Sequence, residues 1–135
     1  MGCMYCYAAQ IARWNHPNEV WGSFLDVKIN APELLKKELD RLEKKFNKKD
    51  FGFIFFSSVT DPYTGVEAKY QLTRKCLQVL VDFGYQGQVV LQTKSGLITR
   101  DCQSLSLVYR RLGLFKKLFV NSNGGTLPML VCNLS

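Results

Sequence analysis

The sequence predicts an α/β domain built on parallel strands, and three observations carry that expectation. Strand-like and helix-like stretches alternate along most of the chain. Two of the strand-like stretches, residues 51–56 and 89–93, are short continuous apolar runs of the kind that parallel sheets bury. Polar, turn-forming residues follow both runs, where α/β proteins carry their functional loops. Alternating units joined by crossovers imply a parallel sheet.

Taken in order, the chain begins with Cys3-Met4-Tyr5-Cys6-Tyr7-Ala8, followed by the helix-compatible run Ala8 to Ala12. Residues 13–22 read as a loop punctuated by Pro17 and Gly22, with Trp14 and Trp21 expected to pin it to the core and His16 expected in solvent. Apolar residues at 25, 27 and 29 alternate with polar ones, which predicts a half-buried strand over 24–29. Asn30 is placed to cap a helix, with Pro32 in its first turn and Glu33 complementing its positive end. Leu35, Leu39, Leu42 and Phe46 recur at steps of four, three and four, so a helix is expected over 32–47.

The run 51–56 follows as a strand buried on both faces, and Ser57 to Gly65 as a loop at its C-terminal end. A second helix is expected from about Val66 to Phe83, with Cys76, Leu77 and Leu80 inward and Gly84 as its stop. Residues 89–93 form the next buried strand, ending in Lys94-Ser95-Gly96. A third helix over about 101–112, a short strand over 118–120, a turn at Asn123-Gly124-Gly125 and an apolar tail over 127–135 complete the reading.

At 135 residues the chain is at most one domain, and it has enough apolar residues to bury a core. No apolar run approaches the roughly 20 residues that span a bilayer. The start lacks the charged and then apolar segments of a signal peptide, which leaves the cytoplasm as the expected compartment, with no membrane partner. There, five cysteines read as metal ligands or buried thiols rather than disulfides. The net charge of +7 comes mostly from residues 36–49, where lysines mix with Glu38, Asp40 and Glu43. That mixture reads as the wet face of a helix, and the competing reading is a surface for nucleic acid.

Cys3 and Cys6 carry the first chemical signal. A C-x-x-C turn suits an iron–sulfur cluster, one edge of a zinc site or a redox dithiol. Zinc needs a second pair, whereas Cys76, Cys102 and Cys132 are isolated and His16 is the single histidine. A serine–histidine–aspartate triad is excluded on the same ground: no motif surrounds that histidine.

Several separate stretches then line up. They are Gly2-Cys3-x-Tyr5-Cys6-Tyr7-Ala8, Val59-Thr60-Asp61-Pro62-Tyr63 with Glu67, Leu72-Thr73-Arg74, Thr93-Lys94-Ser95, and Arg100-Asp101. In order and spacing they resemble radical S-adenosylmethionine proteins of the spore photoproduct lyase-like group, over about residues 2–112. The resemblance implies a partial (β/α) barrel, here with about three to four parallel strands, and a [4Fe–4S] cluster held by three cysteines in a C-x-x-x-C-x-x-C loop. It also implies S-adenosylmethionine bound to the open iron and cleaved by one electron to a 5′-deoxyadenosyl radical, the electron coming from a flavodoxin- or ferredoxin-like donor.

By that resemblance, Cys3 and Cys6 match the second and third cluster ligands. Tyr5 matches the aromatic residue whose backbone lies against the adenine. Ser58, Thr60 and Asp61 fall where the cofactor's amino-acid end is touched, and Lys94 matches a lysine that pairs with its carboxylate. Glu67, Arg100 and Asp101 match motif positions to which no role is assigned. The first cluster cysteine would lie four residues before Cys3, ahead of Met1. The chain is therefore expected to be one incomplete domain over 1–135, with a cluster-loop remnant at 1–8 and an atypical tail at 113–135. It is expected to be an inactive piece of a radical enzyme. The alternative is a non-enzymatic basic α/β module that binds nucleic acid.

Overall fold

The computed structural model describes residues 7–56 and 59–101. In order, its elements are α1 (Ala8–Asn15), α2 (Ala31–Phe46), β1 (Phe53–Phe56), α3 (Glu67–Tyr70), α4 (Leu72–Phe83) and β2 (Gln88–Leu91), and a further helical turn begins at 98–101. The protein is thus of mixed α/β class. β1 and β2 pair in parallel, with Phe53 opposite Gln88 and Phe56 opposite Leu91. With α3 and α4 between them they form one βαβ unit. The expected strand at 118–120, the rest of the third helix, the cluster-loop cysteines and the tail lie outside the described residues.

α2 forms where its apolar spacing places it. Pro32 stands in its first turn, Glu33 lies at its positive end, and Lys44 and Lys45 lie in its last turn. Asn30 occupies the cap position with no side-chain bond, and Asn47 ends the helix in the left-handed conformation. Leu39 is buried and Leu35 packs against the core, but Phe46, the last member of the stripe, is half exposed.

The expected second helix is broken in two. Gln71 takes φ 52°, a left-handed kink that closes α3 and starts α4. The new helix begins without a Ser, Thr, Asp or Asn cap. The Glu67 carboxylate, from the turn before, takes over that work: it accepts the N–H groups of Thr73 and Arg74 at 3.1 and 3.2 Å. At the far end Gly84 takes φ 72°, as its place after the helix predicts. There the Lys49 ammonium donates to the Phe83 carbonyl at 2.9 Å and lies 5.1 Å from the Phe83 ring centre. Lys49 is therefore a helix-end cap and not a member of a purely solvated face.

The core lies between α2, α4 and one face of the sheet. Leu39, Leu77, Leu80, Tyr85, Val89, Leu91, Ile98 and Tyr63 form it, and Ile54 and Phe56 of β1 pack against it. Leu91 is fully buried. Gly87 lets β1 and β2 come together, since a Cβ there would overlap the Gly52 carbonyl oxygen and the Tyr85 phenol. The same Gly52 carbonyl accepts the Gln88 N–H at 2.8 Å.

Three expectations need correction. Residues 24–29 form no strand: Phe24 and Asp26 meet His16, and Leu25 and Ile29 of the alternating set are exposed. Among the described residues β1 is covered on one face only: Phe53 and Phe55 point away from the core and are 67% and 41% exposed. Trp14 does not pin its loop, since it lies on α1 and is 86% exposed, whereas Trp21 meets Phe24 edge-on at 6.3 Å. Tertiary packing decided each case, because alternation and aromaticity do not say which surface a neighbour will cover.

Leu80→Ala should cost about 2–5 kcal/mol through lost burial and the cavity left behind. Urea unfolding of the two chains side by side checks this. Gly87→Ala should also lower the midpoint although it adds a methyl group, because two fixed neighbours occupy the space.

Candidate functional site

The site is built where β1 and β2 end. After β1 the chain turns through 59–66, and Asp61 lies in that turn. Its Oδ1 accepts the Tyr63 N–H at 2.8 Å, an Asx turn that fixes the loop locally. The same oxygen accepts the Thr93 hydroxyl at 2.5 Å, and Oδ2 accepts the Lys94 N–H at 2.7 Å. One carboxylate therefore ties the loop after β1 to the residues just past β2, 32 and 33 positions along the chain. Bonds to an ionised acceptor are short and strong, which suits a clamp between two strand ends.

Thr93 is buried and relays the clamp onward. Its hydroxyl oxygen accepts the Ser95 N–H at 3.0 Å, and the Ser95 hydroxyl oxygen accepts the Leu97 N–H at 3.3 Å. These two side chains shape the turn that leads into the helical residues 98–101. On the other side the Thr73 hydroxyl donates to the Pro62 carbonyl at 2.8 Å, which fastens the Asp61 loop to the first turn of α4.

A second buried carboxylate closes the arrangement. Asp101 is fully buried and accepts two bonds from the Arg100 guanidinium, at 3.0 and 3.1 Å, while Arg74 of α4 stands 3.7 Å away. This pairing holds the Arg100 guanidinium even further from losing its proton than usual. Glu67 is also buried, and its charge lies near Cys76. Burial first, and then that charge, push the Cys76 thiol up to about 11, so it stays a protonated core thiol.

Of the residues the sequence singles out, the structure brings Asp61 and Lys94 together and leaves Thr60 exposed beside them. The Lys94 side chain is exposed, and only its backbone is used by the clamp. Asp61 is committed to three protein donors, which makes it the post that holds the rim rather than an open ligand. Cys3, Tyr5, Cys6 and Ser58 lie outside the described residues. Among the described residues no group of three or more His, Cys, Asp or Glu could hold a metal ion. No described helix is long and apolar enough to cross a membrane.

The sequence marks Glu67, Arg100 and Asp101 without a role, and the structure supplies two: Glu67 caps a helix, and the buried Asp101 pairs with the exposed Arg100. His16, expected in solvent, sits between Glu19 and Asp26 at 2.8 and 2.7 Å. A glutamate three residues after the histidine was the available signal, but Asp26 could be found only in three dimensions.

No protein-family profile matches the chain, and no solved structure matches it. The chain is 35% identical over 99 residues to an uncharacterized protein of Methanocaldococcus jannaschii, a match that takes in 73% of this chain and 33% of that protein. It thus spans about a third of that relative's length.

Asp61→Asn should cost about 1–3 kcal/mol, because the amide must turn a donor toward either the Lys94 N–H or the donors on the other oxygen. Hydrogen exchange at the Lys94 and Ser95 amides should quicken in that variant while the α2 amides stay protected. Cys76 should resist iodoacetamide at pH 8 in the folded chain and react once the chain is unfolded in urea.

Proposed function

We propose that this chain is part of a radical S-adenosylmethionine protein of the spore photoproduct lyase-like group, and that the ends of β1 and β2 form part of its cofactor rim. The observation that supports this reading most is the Asp61 clamp. It gathers Thr60 and Lys94 at the C-terminal ends of two parallel strands, the side on which such folds bind ligands. The exposed Lys94 ammonium and Thr60 hydroxyl have the charge and hydrogen-bonding capacity to receive the carboxylate end of S-adenosylmethionine. Cys3 and Cys6 bring the soft thiolates that iron–sulfur clusters need. Such a cluster, fed by a flavodoxin- or ferredoxin-like protein, would supply the electron for reductive cleavage of the cofactor. The chain's own part at the described rim is to orient: Asp61 fixes the loop, Thr93 fixes the turn after β2, and Glu67 fixes α4 beneath them.

The test compares this chain with the same chain preceded by a cysteine at C-x-x-x-C spacing from Cys3. Both are reconstituted anaerobically with iron and sulfide. The extended chain should gain a broad absorbance near about 400 nm, bind about four irons and release 5′-deoxyadenosine when reduced with S-adenosylmethionine present. Lys94→Ala in that chain should weaken cofactor binding about tenfold, the loss of one charged contact, without lowering iron content. If the extended chain holds no more iron than its Cys3→Ser, Cys6→Ser variant, the reading is wrong.

A second reading has its own observation. Lys37, Arg41, Lys44 and Lys45 follow one another at steps of four, three and one on α2, and all four are exposed. Arg41 is engaged by Glu38 at 2.5 Å, whereas the lysines are exposed, and Lys45 lies 5.1 Å from the ring centre of the half-exposed Phe46. A basic, non-enzymatic module that holds nucleic acid on this stripe would bind DNA or RNA with a steep loss of affinity as salt rises. Charge reversal at Lys44 and Lys45 would then abolish binding in the iron-free chain.

A further inference from the structure

The segment just after α1 is organised around the chain's single histidine. The His16 ring stacks on Phe24, with ring centres 3.9 Å apart and planes 22° apart. Its Nδ1 lies 2.8 Å from Glu19 Oε1 and its Nε2 lies 2.7 Å from Asp26 Oδ2. An ionised carboxylate only accepts, and a neutral imidazole has one N–H to donate. Both contacts can be hydrogen bonds only when both ring nitrogens carry protons. In the neutral ring one nitrogen would turn a lone pair toward a carboxylate at hydrogen-bond distance, which is repulsive.

We infer that protonated His16 is a pH-operated clasp that folds residues 16–26 against the end of α1 and shapes the cleft between them. The bonds within the segment itself are local turns: the Glu19 N–H donates to the His16 carbonyl at 3.3 Å, and both the Ser23 N–H and the Ser23 hydroxyl donate to the Val20 carbonyl. The bond from His16 to Asp26 spans ten residues and ties the two ends of the segment together. The cleft it borders has a volume of about 440 Å³ and is lined by Ala9 and Arg13 of α1 and by Pro17, Val20 and Trp21 of the segment. The charged groups facing the ring are Glu19 and Asp26 from the segment, and Arg13 of the helix lines the same cleft.

The sign follows from the partners. The bond to Asp26, and next the bond to Glu19, raise the pKa of folded His16 above the ordinary 6.5. A group raised on folding stabilises the folded form fully below its unfolded value, and that stabilisation is lost as pH rises through the folded value. The clasp is therefore shut in mild acid and opens on the alkaline side of 6.5.

Because His16 is alone, a proton NMR titration of the imidazole reads it without ambiguity. Its midpoint should lie above 6.5 and fall on Asp26→Asn, with a smaller fall on Glu19→Gln. Trp14→Phe leaves Trp21 as the sole tryptophan, and its emission should change with the same midpoint. In a His16→Gln background the emission should stay at its high-pH level throughout. A midpoint at or below 6.5, or Trp21 emission that ignores the titration of His16, overturns the clasp. The unmodified histidine and His16→Gln decide the matter even if Asp26→Asn fails to fold.

Discussion

The described structure depends on one carboxylate that joins two strand ends. β1 and β2 run parallel, so their C-terminal ends lie side by side, but nothing in the ladder fixes the loops beyond them. Asp61 does so by accepting from a backbone amide of its own loop and from a hydroxyl and an amide past β2. From there the order spreads through side chains and not through the sheet. Thr73 holds Pro62, Glu67 holds the first turn of α4, and Asp101 sits in the grip of Arg100 with Arg74 nearby. The buried carboxylates of Glu67 and Asp101 each have donors, which is the condition under which burying a charge is tolerable.

This network and the apolar core divide the labour. Leu39, Leu77, Leu80, Val89 and Leu91 bring α2, α4 and the sheet together without specifying any loop. The polar clamps then select one loop conformation from the many that such a core would accept. The left-handed Gln71 belongs to the same logic. By ending α3 early it lets Glu67 reach past the break to the amides that start α4, which a continuous helix would have bonded internally.

The fold was legible where periodicity is long or the run is short and aromatic. The stripe of α2, the two apolar strands and the Gly84 stop all stand where the residues place them. The site was legible as positions and not as roles. Asp61 and Lys94 do converge, yet the sequence could not tell that Asp61 would be spent on Thr93 and the Lys94 backbone. Pairings between residues ten to 34 apart are set by packing, so His16–Asp26, Lys49–Phe83 and Asp61–Lys94 left no local trace. Alternation over 24–29 misled for a related reason. A strand needs a partner ladder, and none stands beside it among the described residues.

The outward face of β1 has a practical meaning. Phe53 and Phe55 lie on the side of the sheet away from α2 and α4, on a two-stranded sheet with an open edge at each side among the described residues. Aromatic rings next to unsatisfied ladder groups are the ingredients of intermolecular strand pairing. Where that face and edge stay uncovered, crowding would let the rings of two chains meet, and dilution would keep them apart.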